Sequence, residues 1–327
     1  MIVRSITKAW WTVCLAVAIC VALAAGPARA QSCSFSISAL NFGTIDLTAN
    51  TPFTSTATLS ASCTGTANTT VRTCPNIDVG SGGSTSGSPR FLLNGAAQLN
   101  FNLYQDSAYT SVWGSNLWAF AGSYPSPTID VPLNSSGSGS ASQTIYGQIW
   151  AGQQTLAAGI YTSAFSGTQA SVAYAYSTVG TCATIGSSHA TSASFTVTAI
   201  DASNCSVNAS TLNFGAAGVL GSAVNAASSL TVTCTNALPY TIALDGGLSG
   251  ATNPTQRVMS QAAQQITYGL YRDSARAQPW GDSVGTNTAA GTGSGLAQTL
   301  TVYGRVPAQT TPAPGTYSDT VVVTISY

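Results

Sequence analysis

The feature that most constrains how this chain folds is an internal repeat. Short motifs of the N-terminal half, among them Leu-Asn-Phe-Gly and Leu-Tyr-x-Asp-Ser-Ala, return in the same order in the C-terminal half. The matched segments are 33–43 with 205–215, 63–64 with 234–235, 103–108 with 270–275, 113–114 with 280–281, 144–147 with 301–304, and 159–162 with 315–318. Matches that keep one order along two halves indicate a duplicated domain.

Both halves carry the sequence pattern of antiparallel β-strands. Apolar residues alternate with Ser and Thr, for example along 172–176, 230–234 and 317–327. A strand of this kind buries one face and exposes the other. Many such strands, over about 140 residues per half, are typical of a β-sandwich. We therefore predict an all-β fold with two immunoglobulin-like sandwich domains.

The charge inventory excludes several classes of function. Charged residues make up 6% of the chain, every acidic residue is Asp, and His189 is the single histidine. This set cannot supply a basic face for nucleic acid or a His-based zinc site. His189 lies in a polar linker, while Asp106 and Asp273 occupy equivalent turns, where Asp commonly caps backbone N–H groups. We expect no enzymatic activity, no metal site and no cofactor.

Residues 1–30 are predicted to be a cleaved export signal. Arg4 and Lys8 precede an apolar run over 10–25, and Ala28-Arg29-Ala30 matches a signal-peptidase cleavage pattern. The run is shorter than the roughly 20 residues that span a bilayer. We therefore expect this segment to be removed and the mature chain to be exported.

Six cysteines follow residue 30, and an even number favours disulfides in an exported chain. The repeat narrows the many possible pairings. Two cysteines of the N-terminal half have matching positions in the other half, whereas Cys74 and Cys182 have none. The predicted bridges are Cys33–Cys63, Cys205–Cys234 and Cys74–Cys182.

The two halves differ by one strand. After the strand that matches the last one of the C-terminal half, the N-terminal half continues to another alternating stretch, 194–200. Its apolar face comprises Phe195, Val197 and Ala199. We predict that this stretch completes the first sandwich in cis, giving domains at 31–202 and 203–327. The second sandwich, whose sequence ends at Tyr327, is expected to keep an open groove that can accept a strand from another chain.

Together these motifs resemble the spore coat U domains, which are the pilin domains of archaic, Csu-type chaperone–usher pili. In that family, ordinary subunits carry a donor strand, roughly Phe-x-Val-x-Ala, ahead of the first Cys. Here this element precedes Cys205, whereas only Gln31 and Ser32 would precede Cys33 in the mature chain. The resemblance implies a tip adhesin that passes through the periplasm to the cell surface. Its implied partners are a periplasmic chaperone, an outer-membrane usher and an adjacent pilus subunit that donates a strand.

One segment of the N-terminal half is richer in large apolar residues than its counterpart. Residues 113–133 carry them in a Pro-containing stretch, where 281–300 is rich in Gly, Ser, Thr and Asn. Exposed together, they would bind an abiotic or host surface, and the resemblance implies such attachment and biofilm formation. The proposed contact residues are Leu117, Trp118, Phe120, Tyr124 and Ile129. A loop around Cys182, with Val179 and Ile185, is a second candidate.

Several alternatives stay open from the sequence. The apolar residues of 113–133 could cover the sheet as a small satellite core. The chain could be a structural coat or matrix protein, which would not need an open groove. It could also be a glycan-binding adhesin whose aromatic residues stack on sugars. Trp113 and Trp280 recur in both halves, which favours core positions for them.

Overall fold

The computed structural model describes residues 30–85, 89–116, 125–185 and 189–327. These parts of the chain form twenty β-strands and two short 3-10 helices, so the predicted all-β fold is confirmed. Within the described ranges, no helix has the length and apolar character needed to cross a membrane.

The N-terminal half is a sandwich of two sheets. Its strands are β1 (Ser32–Ile37), β2 (Leu40–Ile45), β3 (Phe53–Thr64), β4 (Thr70–Ile77), β5 (Arg90–Asn94), β6 (Ala97–Tyr104), β7 (Ile129–Pro132), β8 (Ser138–Ile149), β9 (Gly159–Phe165), β10 (Ala170–Ala175), β11 (Ala190–Ser192) and β12 (Phe195–Asp201), and its 3-10 helices are Leu47–Ala49 and Gly167–Gln169. One sheet has the strand order β1-β3-β8-β6-β5-β9-β12-β2, and the other has the order β11-β10-β4-β7. Both sheets bury side chains in one apolar core, which includes Leu59, Trp113 and Val172.

The alternating sequence explains why these segments become strands. Along β3, Ala57, Leu59 and Ala61 are buried, while the Thr and Ser residues between them are exposed. Small and β-branched residues with this period suit a pleated surface that is covered on one side only. The sequence pattern therefore fixes both the strand and the face that it buries.

The C-terminal half repeats this plan with fewer strands. They are β13 (Cys205–Ala209), β14 (Val224–Cys234), β15 (Pro239–Leu244), β16 (Arg257–Gln261), β17 (Gln264–Tyr271), β18 (Ala289–Thr292), β19 (Gln298–Val306) and β20 (Val323–Ser326). The larger sheet has the order β13-β14-β19-β17-β16, which matches β1-β3-β8-β6-β5. The smaller sheet, β18-β15-β20, matches β7-β4-β10. The larger sheet stops where β9, β12 and β2 continue the sheet of the N-terminal half.

Three disulfides join the pairs that the sequence predicted. Cys33–Cys63 links β1 to β3, and Cys205–Cys234 links β13 to β14 at the equivalent place. Cys74–Cys182 ties a loop after β10 back to β4 across 108 residues of sequence. By closing so long a loop, the third bridge restricts the unfolded chain most.

A buried arginine lies at the same place in each half, which the sequence pattern did not predict. Arg90 and Arg257 are 1% and 0% exposed. The Nη2 of Arg90 donates to the carbonyl oxygens of Ile77 and Trp113, and that of Arg257 donates to those of Leu244 and Trp280. Because these acceptors are backbone carbonyls of two different segments, each arginine ties its own strand to two other parts of the chain. Burial lowers the pKa of Arg90 to about 9.

The Leu-Asn-Phe-Gly and Tyr-Gly motifs are explained by one contact that occurs twice. A Cβ on Gly147 would lie 2.8 Å from Leu40 Cδ1, and a Cβ on Gly304 would lie 2.9 Å from Leu212 Cδ1. Each glycine therefore leaves the space that the leucine of the other motif occupies. This packing holds the Leu-Asn-Phe-Gly segment against the sheet in both halves, including the half in which that segment forms no strand.

Candidate functional site

The stretch 194–200 forms strand β12, which lies between two others. It pairs antiparallel with β9 and parallel with β2. Phe195, Val197 and Ala199 point into the sandwich and are 6%, 0% and 0% exposed. Their register partners on β9 are Phe165, Ser163 and Tyr161. The chain itself thus supplies the strand that fills this half.

Both ends of β12 are fixed by specific contacts. At the start, the ring of Phe195 stacks on that of Phe165, with centroids 4.5 Å apart. At the end, Asp201 is 2% exposed, and its Oδ1 accepts a hydrogen bond of 3.1 Å from the backbone N–H of Leu47. The Oδ2 of Asp201 has no hydrogen-bond partner in the described part of the chain. Burial, with a smaller contribution from Asp46, raises the pKa of Asp201 to about 6.

The C-terminal half, which the structure describes in full, has no strand at the position of β12. Instead it has an open groove of about 430 Å³. Most of its lining side chains are apolar, and they include Leu212, Phe214, Leu230, Leu244, Met259, Leu270, Val302, Tyr317, Val321 and Val323. The groove exposes the interior of a sandwich along the line that β12 covers in the other half.

The two walls of the groove correspond to β2 and β9. One wall contains Leu212 and Phe214 of the repeated Leu-Asn-Phe-Gly motif. The other is the segment 315–321, which carries the repeated Gly-x-Tyr motif of β9. The Tyr317 hydroxyl donates to the Ala313 carbonyl at 2.6 Å, as the Tyr161 hydroxyl does to that of Ala157. The second wall therefore keeps the local geometry of β9 without its partner strand.

A polar pair interrupts the apolar lining. The Tyr268 hydroxyl donates to Asp319 Oδ2 at 2.6 Å, and the backbone N–H of Leu248 donates to Oδ1 at 2.8 Å. Burial raises the pKa of the Tyr268 hydroxyl, and the hydrogen bond to Asp319 raises it further. Asp319 is the one carboxylate among the residues that line the groove. The filled half has Phe101 and Ser163 at the matching positions, so this pair is a difference between the two sites.

The first proposed contact loop is described only in part. Leu117, Trp118, Phe120 and Tyr124 lie outside the described residues. Ile129 lies in β7, is 8% exposed and packs in the core of the N-terminal half, so its assignment as a surface contact was wrong. The alternation of Ile129 with Val131 belongs to a strand, and the neighbouring prolines concealed it.

The second candidate loop is anchored and partly exposed. Val179 is 86% exposed, whereas Ile185 is only partly exposed. Arg72 Nη1 donates to the carbonyl oxygens of Thr178 and Gly180, and the Cys74–Cys182 bridge fixes the same loop to β4. Thr128, just after the undescribed part of the first loop, lies 3.3 Å from Cys182 Sγ. The Cys182 loop therefore contacts the residues that follow the first candidate loop.

The remaining residues from the sequence analysis have structural roles in the described chain. Trp113 and Trp280 are 0% and 1% exposed, in the cores of their respective halves. Asp106 accepts from the backbone N–H groups of its own turn, and Asp273 does the same in the matching turn. These hydrogen bonds hold the pKa of both carboxyls below the usual range. His189 stacks on the ring of Tyr174 beside its strand.

Known proteins share the domain sequence and the fold of this chain. The Spore Coat Protein U domain matches twice, over residues 19–168 and 191–324. "Protein U" of Myxococcus xanthus is 36% identical over 129 residues, covering 36% of this chain and 72% of that protein. A crystal structure of a chaperone with the tip adhesion subunit of archaic chaperone–usher Csu pili from Acinetobacter baumannii superposes with a TM-score of 0.54 at 19% identity, covering 90% of this chain and all of that one. The chain belongs to the Spore Coat Protein U domain family.

Proposed function

We propose that the protein is a tip adhesin of a chaperone–usher pilus and that it is not an enzyme. The observation that carries the proposal is the contrast between the halves. The N-terminal half contains its completing strand β12, whereas the C-terminal half has an open groove at the same place. A groove of this kind exposes apolar side chains and strand edges, which are normally covered or paired. A strand donated by an adjacent pilus subunit would cover both.

The remaining parts of the proposal follow from this arrangement. A periplasmic chaperone would cover the groove before assembly, and an outer-membrane usher would deliver the subunit to the cell surface. Three disulfides are consistent with passage through an oxidising compartment. Within the described residues, β12 is paired on both sides with strands of its own half, so it is not available to a further subunit. That half would then face outward at the tip.

The first experiment tests the open groove. A variant of the mature chain would carry, after Tyr327, a Gly/Ser linker as long as 176–194 and then a copy of 194–201. We expect the added strand to raise the unfolding temperature of the C-terminal half and to prevent its association with other chains. The matched control replaces the three inward residues of the added copy with Asp. Equal melting of the unmodified chain, the variant and the control would refute the proposal.

Separate halves test the proposed domain boundaries. Residues 31–202 should fold alone, because β12 is included. Residues 203–327 should aggregate alone and become soluble when an alternating strand is fused to them. A monomeric 203–327 that melts cooperatively without such a strand would contradict the acceptor role.

We propose the apolar loop of the N-terminal half as the contact with surfaces, with the Cys182 loop beside it. Burying one large aromatic side chain against an apolar surface contributes roughly 2–3 kcal/mol, and many pili on one cell would multiply the effect. Retention on polystyrene and on clean glass would be compared for residues 31–202 and for a Trp118→Ser/Phe120→Ser variant of equal melting temperature. Preference for polystyrene that is lost in the variant supports the proposal, and equal weak retention contradicts it.

A structural coat protein is the second candidate, because the family model carries that description. The two candidates differ in what they require of the groove. A coat component can be complete by itself, whereas a pilus subunit must take a strand from another chain. The strand-addition experiment therefore separates them.

A further inference from the structure

We propose that the C-terminal groove selects a strand with a hydroxyl-bearing residue, Ser or Thr, at the position that faces Asp319. The inference rests on the proposed function, since it concerns the strand that would enter the groove. It specifies one feature of that partner that the apolar lining alone does not determine. The filled half provides the reference for the register.

The repeat defines which donor residue would face Asp319. In the N-terminal half, Val197 of β12 is the register partner of Ser163 on β9. Counting from the repeated Gly-x-Tyr motif, Ser163 corresponds to Asp319. A strand seated in the C-terminal groove as β12 is seated in the other half would therefore place its central inward residue opposite Asp319.

The two halves also differ in one residue at the floor of the groove. Phe101 pairs with Arg90 across β5 and β6, and Tyr268 pairs with Arg257 across the matching strands, so the two aromatic residues are equivalent. In the filled half, Ser163 is the register partner of Val197, and Phe101 is buried in the same apolar core. In the open half, a phenol and a carboxylate occupy the same two places. Both changes add hydrogen-bonding capacity at one point of a groove that is lined mostly by apolar residues.

The carboxylate of Asp319 retains capacity for another donor. Its Oδ1 accepts from the backbone N–H groups of Leu248 and Thr320, both at 2.8 Å, and its Oδ2 accepts from Tyr268. An ionised carboxylate offers about four acceptor positions. A strand that covers the groove removes water from Asp319, and a side chain such as Val197 would return no hydrogen bond. A hydroxyl at that position would replace the lost water and would keep the β-strand propensity if it belongs to Thr.

The rest of the pattern follows from the filled half. The donor residue that faces Tyr317 should be small, as Ala199 is opposite Tyr161. The residue that faces Val321 should be large and apolar, as Phe195 is opposite Phe165. The preferred strand thus alternates a large apolar residue, Ser or Thr, and a small residue on its inward face.

Peptide binding to the full mature chain tests the inference. One labelled peptide has the sequence of 194–201, and the other carries the Val197→Thr change. We expect the Thr peptide to bind about tenfold more tightly, because a hydrogen bond to a charged group in a dry site contributes that much or more. Equal affinities for the two peptides, or tighter binding of the Val peptide, would overturn the inference while leaving the open groove intact. Absence of binding by either peptide would overturn both the inference and the proposed function.

Two variants of the groove should move the preference in opposite directions. Asp319→Ser gives the wall the residue of the filled half and should abolish the preference for Thr. Tyr268→Phe removes one donor to Asp319 and should increase the preference. Because these changes are made in separate variants, the inference can still be tested with one variant if the other fails to fold. A Thr preference that persists in Asp319→Ser, or that disappears in Tyr268→Phe, would overturn the inference.

Discussion

The buried end of β12 makes the stability of the N-terminal half depend on pH in a defined direction. Asp201 is 2% exposed, accepts one hydrogen bond from Leu47, and has a pKa raised to about 6, chiefly by burial. An Asp in an unfolded chain titrates near 3.9. Between these pKa values, the folded state therefore holds a proton that the unfolded state has released. Stability must fall as the pH rises from about 4 to about 6 and stay lower above that.

The magnitude can be worked from the pKa and tested with one substitution. A pKa raised from 3.8 to about 6 corresponds at full effect to roughly 3 kcal/mol. Relaxation of the structure around the ionised carboxylate reduces the expected figure to about 1–2 kcal/mol. In Asp201→Asn the amide oxygen can still accept from Leu47, but the residue no longer titrates. The free energy of unfolding of the variant, relative to that of the unmodified chain, should therefore improve by about 1–2 kcal/mol between pH 4 and pH 7.

Calorimetric or urea unfolding of residues 31–327 at a series of pH values would measure this difference. Any constant cost of packing an amide cancels, since only the change of the difference with pH is used. Asp106→Asn is the matched control with the opposite sign, because backbone N–H groups hold the pKa of Asp106 low and its contribution is lost as the pH falls. A pH-independent difference between Asp201→Asn and the unmodified chain would refute the reasoning.

Three further predictions concern the strand, the groove wall and the loop bridge. Phe195→Ala should lower the free energy of unfolding of the N-terminal half by about 3–4 kcal/mol in urea, since it empties a buried site on the inward face of β12; a cost below about 1 kcal/mol would contradict the role given to β12. Gly304→Ala should weaken binding of an added strand and lower the unfolding temperature of the C-terminal half, because its Cβ would meet Leu212. Gly218→Ala, where a Cβ meets nothing within 4 Å, should do neither. Replacing the Cys74–Cys182 pair with Ser should cost about 5 kcal/mol by the loop-entropy estimate, measured as a lower urea midpoint, and an unchanged midpoint would contradict it.

Those parts of the fold that depend on repetition and alternation could be predicted from the sequence. The two cysteine pairs at matching positions fixed two bridges, and the leftover pair fixed the third. The alternation of 194–200 predicted a strand, because a period of two needs no knowledge of the partner. Ile129 shows the limit of the same method, because two nearby prolines concealed the alternation of a short strand. Its burial depends on β4, which is distant in sequence and pairs with it.

The buried arginines and the polar pair could not be predicted from residue types alone. A charged residue in a strand is expected at the surface, and Arg90 becomes a core residue only because turns and strand ends direct carbonyl oxygens at it. One signal was present in the sequence, since Arg90 and Arg257 stand at equal distances before Trp113 and Trp280. For Asp319 the sequence had no such signal. The role of Asp319 depends on which residue of a donated strand would lie beside its carboxylate.

Because the chain contains two copies of the domain, residues that the sandwich requires can be told apart from residues that the groove requires. The buried arginine, the tryptophan and the Leu-to-Gly contact occur in both halves, so each belongs to the sandwich whether or not the groove is filled. The Tyr268–Asp319 pair occurs only where the strand is missing. A groove filled permanently by its own chain can be apolar throughout, because its strand is covalently attached and never has to be distinguished from others. A groove that must choose a strand from another chain gains from a polar point that an unsuitable strand would leave without a partner. The position of this pair, opposite the centre of the incoming strand, is where such a penalty would act on register as well as on sequence.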